Sequence, residues 1–213
     1  EKYKYIGWKY FIKHRNIMDF DLLFNKLPNK IYPFDYGAYF SSESYFEIVS
    51  TNCLTGKPEY FEEKRDEQRL LDIVKASSSL PFLCPVAYVD NIPMLDGGIS
   101  DSIPIQRAID RGYSRNIVVT TRPKGYRKEQ KNIRLPGFVY RKYPEIRAAL
   151  SRRYLMYNNQ LDLIDRLEDK GEVVVIRPDD PVMVGRMEKN TNKLINLYDQ
   201  AYNIIENLNC TIF

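Results

Sequence analysis

A chain of 213 residues is long enough for one large domain with a real core. Its 44% apolar and 28% charged residues and net charge of +4 are the balance of a soluble globular protein. No apolar run approaches the roughly 18 residues a transmembrane helix needs. Cys53, Cys84 and Cys210 are few, odd in number and far apart. They argue against a disulfide framework or a zinc site and for reduced thiols, as in the cytoplasm. The charge is unevenly spread. Between Arg122 and Arg153 eleven Lys/Arg face two acids, so this block carries +9 and the remainder −5.

Residues 1–24 are aromatic and basic, with Ile6, Trp8, Tyr10 and Phe11 irregularly spaced. They could form a lid over an apolar cleft or pack as ordinary cover on a core. Asp19 or Asp21 is placed to cap a short helix ending before Pro28. His14 is the sole histidine, and its Lys13 and Arg15 flanks mark a surface position. Without a second ligand nearby a metal site is not expected. Residues 33–42 read as a loop and short helix. Residues 45–52 and 59–61, joined through Thr55-Gly56-Lys57-Pro58, spell a β-hairpin. A charged amphipathic helix follows over 62–75, with Leu70, Leu71, Ile73 and Val74 inward. It runs into Ser77-Ser78-Ser79. These serines either line a site, Ser77 and Ser78 above all, or close the helix and let two elements approach.

A second hairpin has arms 87–89 and 92–95 around Asp90-Asn91. Its second arm delivers Asp96 into Gly97-Gly98, and Ser102-Ile103-Pro104 opens a helix running to about Gly112. An acid at a strand end before two glycines is either a plain turn or a carboxylate presented in a cleft, because residues without Cβ let another backbone or a substrate come close. With little water around it, such a carboxylate should have a raised pKa and serve as a base. Residues 116–121 and 172–176 are continuous apolar strands fed by helices that end at Gly112 and Gly171. This pattern predicts neighbouring strands of a parallel sheet, buried on both faces, and an α/β class. The helix before the second strand spans 155–170. A last amphipathic helix, 191–208, has Leu194, Leu197, Tyr198, Ala201 and Ile205 as its packing stripe. The basic block 122–153 lies between the two strands as an insertion or surface feature. It suits phosphates or an anionic membrane, with Arg141, Lys142, Arg152 and Arg153 as contacts, or is a solvated face. No zinc spacing, RNA motif or recognition helix supports nucleic-acid binding.

Several motifs together resemble the patatin-like phospholipase family, in particular its bacterial esterase subgroup. They are Y-I-G-W-K-Y-F at the start, T-N…T-G-K-P in the first hairpin, A-S-S-S-L-P…D-G-G, and I-R-P-D-D-P-V-M-V-G-R-M-E-K-N near the end. The resemblance implies a three-layer α/β/α domain over 1–213, with a parallel-rich central sheet and an added hairpin. It also implies that Asp96 is the base of a Ser–Asp dyad, supported by Gly97 and Gly98. The family's Gly-x-Ser-x-Gly nucleophile turn and glycine-rich oxyanion loop are missing from these residues; Gly98-Ile99-Ser100-Asp101-Ser102 is the nearest string and lacks the second glycine. The chain is therefore read as the portion after the nucleophile, N-terminally truncated and inactive alone. An exposed sheet edge would then favour association with another copy. The implied reaction is lipid or other ester hydrolysis without metal or cofactor. The alternative is a non-catalytic module that binds membranes or phosphates through 122–153.

Overall fold

The computed structural model describes residues 7, 18–130, 139–185 and 188–207. His14, most of the segment read as a lid, residues 131–138 of the basic block and Cys210 lie outside the described residues. Within the domain expected over 1–213, the chain groups into two compact units, residues 1–102 with 131–153 and residues 103–130 with 154–213. The class is mixed α/β.

The first unit begins with α1 (Leu22–Ile31), and just at its start the Leu22 N–H donates to Asp19 Oδ1 at 3.0 Å. The helix does not stop before Pro28. It winds through it in wider steps, and the Tyr32 N–H closes it by donating to Leu27 O, five residues back, at 2.9 Å. Proline lacks an N–H and its ring collides with the carbonyl four residues earlier, and a wider turn relieves both problems. Next, α2 (Tyr36–Ser41) is capped by Asp35, whose Oδ1 accepts from the Ala38 N–H at 2.8 Å.

The first hairpin forms as expected from β1 (Ile48–Asn52) and β2 (Pro58–Phe61), paired antiparallel from Ile48↔Phe61 to Thr51↔Pro58. Helix α3 (Glu67–Ser77) starts later than periodicity suggests, because the Asp66 carboxylate caps it by accepting from the Arg69 N–H. It buries Leu70, Ile73 and Ala76 against Ile48, Ala87, Val89 and Met94. The second hairpin is β3 (Ala87–Val89) and β4 (Ile92–Asp96). Asp90 and Asn91 both take positive φ, 52° and 65°, as a two-residue turn matched to strand twist requires.

The pairing of β4 with β1 joins the hairpins into one sheet of order β2-β1-β4-β3, antiparallel throughout. The parallel-rich sheet is thus not what this unit contains. Two tight hairpins can only contribute antiparallel pairs, and the β1–β4 pair that joins them is antiparallel as well. On the other side of the sheet Leu95, Ile99 and Cys53 pack against Ile146 and Leu150. Those two residues belong to the first turns of α5 (Pro144–Asp169), which begins well before the expected Leu155.

In the second unit α4 (Ile105–Asp110) precedes β5 (Asn116–Val119), which pairs parallel with β6 (Val173–Ile176) in register Asn116↔Val173. Gly112 and Gly171, at φ 88° and 71°, follow the helices that feed these strands. Ile105, Val118, Ile164 and Val173 form the core. Burial on both faces of β5 is corrected here: Val118 is inside, but Ile117 and Val119 are 47% and 70% exposed. The packing stripe of α6 (Thr191–Asn207) is corrected too, since Leu194, Tyr198, Ala201 and Ile205 are exposed and only Leu197 is half-buried. The amphipathic period was right about the helix but could not say that a neighbour covers its apolar side.

Candidate functional site

The site is built around the last residue of β4. Strand pairing sets Asp96 opposite Ser50, so both side chains project from one face of the sheet. Three backbone-level contacts fix the aspartate. Its N–H donates to Ser79 O at 3.0 Å, and its carbonyl accepts from Thr51 Oγ1 at 2.8 Å. Its carboxylate Oδ1 accepts from the Gly98 N–H at 2.7 Å. Thr51 is locked in turn by Ser100 Oγ at 2.8 Å. Asp96 is half-buried. The bond from the Gly98 N–H fixes the orientation of the carboxylate.

Both glycines are demanded by space. A Cβ on Gly97 would stand 2.3 Å from Val49 O, inside the backbone of β1. A Cβ on Gly98 would stand 2.9 Å from Asp96 Oδ1 and 3.3 Å from Arg153 Nη2. Glycine here allows the chain to turn sharply out of β4 while a carboxylate and a guanidinium crowd the same spot. The Gly98 carbonyl accepts from Arg153 Nε at 2.5 Å and from Ser102 Oγ at 2.7 Å.

The surroundings are largely dry. Ser50 is fully buried, and its hydroxyl has no hydrogen-bond partner among the described residues. Burial raises the Cys84 thiol, the Leu80 N–H lowers it less, and the Asp96 charge adds a further raising effect. Cys53, buried against Leu95, has its thiol pushed up to about 12 by burial. Both cysteines are free.

The other expected site residues are scattered. Ser77 and Ser78 are half-buried at the end of α3, where the Ser78 N–H closes the helix on Val74 O and Lys75 O. Ser79 is the serine whose carbonyl meets Asp96, while its hydroxyl donates to Lys75 O at 2.8 Å. Arg141, Lys142 and Arg152 are exposed. Arg153 is half-buried and turned onto Gly98, apart from the exposed group with which composition placed it. Sequence reading did not connect Thr51, Ser100 or Arg153 with Asp96. For Thr51 a signal existed in the T-N of the first hairpin; for Arg153 none did, because 55 residues separate it from its partner.

A carboxylate held in one orientation, half-dried and at the mouth of a tight turn, can accept a proton from a hydroxyl brought against it. Two comparisons bear on whose site this is. The family model described as patatin-like phospholipase matches residues 7–109, and one described as a domain of unknown function (DUF6363) matches residues 143–208. The chain is also 31% identical over 116 residues to a protein of Escherichia coli (strain K12) named uncharacterized protein YjjU. That match covers 53% of this chain and 32% of the relative, so the chain spans about a third of the relative's length. The stretch 7–109, which carries both hairpins and Asp96, is thus the part of the chain that matches the patatin-like phospholipase family.

Proposed function

We propose that this chain is the base-bearing part of a lipolytic acyl hydrolase, acting on a phospholipid or another carboxylic ester through a Ser–Asp dyad. Asp96 is the base. The serine comes from a Gly-x-Ser-x-Gly turn that the 213 residues do not contain. The observation that carries this reading is the fixed carboxylate of Asp96, half-buried and bonded to the Gly98 N–H within the family-matched stretch. The buried, unpartnered Ser50 hydroxyl across the strand pair supports a polar group completing this place. In the complete domain the present sheet is one part of a three-layer α/β/α arrangement.

The serine oxygen attacks the ester carbonyl as its proton passes to Asp96. The tetrahedral intermediate collapses, the alcohol leaves with that proton, and the acyl group stays on the serine. Water then attacks the acyl-enzyme while Asp96 takes a proton from it, and collapse releases the acid and restores the serine. Neither metal nor cofactor takes part in this scheme. Asp96→Asn keeps the Gly98 N–H bond through its amide oxygen but cannot accept the proton. In a protein that joins this chain to its serine-bearing segment, the substitution should leave thermal unfolding unchanged and reduce p-nitrophenyl ester hydrolysis by about 10⁴-fold or more, the scale of losing a member of a nucleophilic constellation. Wild-type turnover in the folded variant would remove Asp96 from the mechanism.

A second reading has its own support. Arg141, Lys142 and Arg152 stand exposed on consecutive stretches of the basic block. A peripheral module that meets anionic lipid or phosphate through them would use no acyl chemistry.

A further inference from the structure

We propose that Arg153 is the positioning residue for Asp96, so that the segment matched to a domain of unknown function supplies part of the acid's support. The inference rests on the acyl-hydrolase reading for its consequence in turnover, but its geometry stands by itself.

Gly98 is the soft joint of the site. Without a Cβ, its two backbone dihedrals are the least restrained of any residue type. Yet the peptide on its N-terminal side must aim an N–H at Asp96 Oδ1, 2.7 Å away. Something has to fix the other side of that joint. The Gly98 carbonyl is held by two donors, Ser102 Oγ at 2.7 Å and Arg153 Nε at 2.5 Å. Of these the guanidinium is charged, and charge-assisted hydrogen bonds are roughly twice as strong as neutral ones. Ser102 is four residues along the same turn and moves with it. Arg153 belongs to α5, a separate element anchored in the sheet's core by Ile146 and Leu150. It therefore refers the loop to a rigid frame.

The missing Cβ has a second effect. The place it would occupy is bordered by Asp96 Oδ1 and by Arg153 Nη2, so the guanidinium reaches the carboxylate side of the loop across a bare glycine. Arg153 thus orients the aspartate through Gly98. Lysine cannot copy this, since a single ammonium does not present the planar fork that places one nitrogen on the carbonyl and another beyond it.

The first test needs no activity. In the 213-residue chain, amide hydrogen exchange at Gly98 should quicken about tenfold in Arg153→Ala and by a smaller factor in Arg153→Lys, while the buried Cys53 amide, held by Pro93 O, keeps its protection. The lysine variant retains the stem and charge, and decides the matter if the alanine variant fails to fold. The second test uses the protein with its serine segment. There Arg153→Lys should lower kcat about tenfold to a hundredfold at unchanged KM, the scale of a displaced catalytic group. Guanidinium ion added to Arg153→Ala should restore part of the turnover. Gly98 exchange that is unchanged in the folded variants overturns the proposal. So does a loss confined to KM, which would make Arg153 a substrate contact. If the wild-type protein hydrolyses no ester, the acyl-hydrolase reading fails alone, and the exchange measurement still decides whether Arg153 holds the loop.

Discussion

At the scale of single residues, the two adjacent glycines after Asp96 do different work. Gly97 faces backbone: Val49 O, C and Cβ all lie within 2.9 Å of where its Cβ would be. Backbone in the middle of a paired strand cannot step aside cheaply. Gly97→Ala should therefore cost about 2–3 kcal/mol, the upper part of the range for overpacking a well-filled interior. Gly112 is the natural control. It has positive φ but nothing within 4 Å, so alanine there should cost only about 1 kcal/mol of backbone strain. Urea denaturation of both variants makes the comparison, and equal costs would mean that β1 does not approach Gly97 so closely. Gly98 differs again, since its neighbours are the ends of side chains. Alanine there should leave the fold and disturb the carboxylate.

Among elements, the contact worth testing is the clamp that ties α3 to the β3–β4 turn. Arg69 on α3 reaches Glu63 Oε2 at 2.6 Å and Asp90 Oδ2 at 2.7 Å. The Glu63 side chain is 9% exposed and that of Asp90 52%. Burial alone would raise the Glu63 carboxyl, but hydrogen bonds from Arg69 and from the Asp66 and Arg65 N–H groups outweigh it and hold the group below its usual range. The hydrogen bond from Arg69 likewise lowers Asp90. Two lowered carboxyls contribute stability above their unfolded pKa values and lose it as pH falls through the folded ones. Arg69→Ala leaves a nearly buried charge without its cation and should cost about 2 kcal/mol at pH 7, less than a fully buried pair because Arg69 is one-third exposed. Asp90→Ala, at the wet end of the clamp, should cost less than about 1 kcal/mol. The gap should narrow as pH falls below the usual carboxylate range, because both groups are held under it. A gap that persists there would show that packing of the arginine stem, rather than charge, holds the two elements together.

For the molecule as a whole, the boundaries of the matched families and those of the compact units do not coincide. The match over 143–208 begins inside the first unit, where Ile146 and Leu150 fill the core beside Leu95. The basic block is divided as well. Arg153 is taken up by Gly98, whereas Arg141, Lys142 and Arg152 remain at the surface. If the block meets lipid, those three carry it. Replacing them together by glutamine should weaken binding to phosphatidylserine-containing vesicles roughly a hundredfold, at about 1 kcal/mol per cation, and leave binding to neutral phosphatidylcholine unchanged. Vesicle affinity that does not move with the three substitutions removes the membrane-surface reading.

Local physics made much of the chain legible in its sequence. Asp90-Asn91 and Thr55-Gly56 specify tight turns by their backbone preferences, so both hairpins could be read directly, as could the helices with a capping acid and an apolar period. The motif ending in Asp96-Gly97-Gly98 pointed to the family whose model matches residues 7–109. Contacts between distant segments could not be read that way. No local preference announces that β4 pairs with β1, that Thr51 secures Asp96, or that Arg153 crosses 55 positions to hold Gly98. The exposed stripe of α6 and the open face of β5 mark the same divide. Periodicity determines which side of an element is apolar, whereas only packing among separated elements decides whether that side is covered.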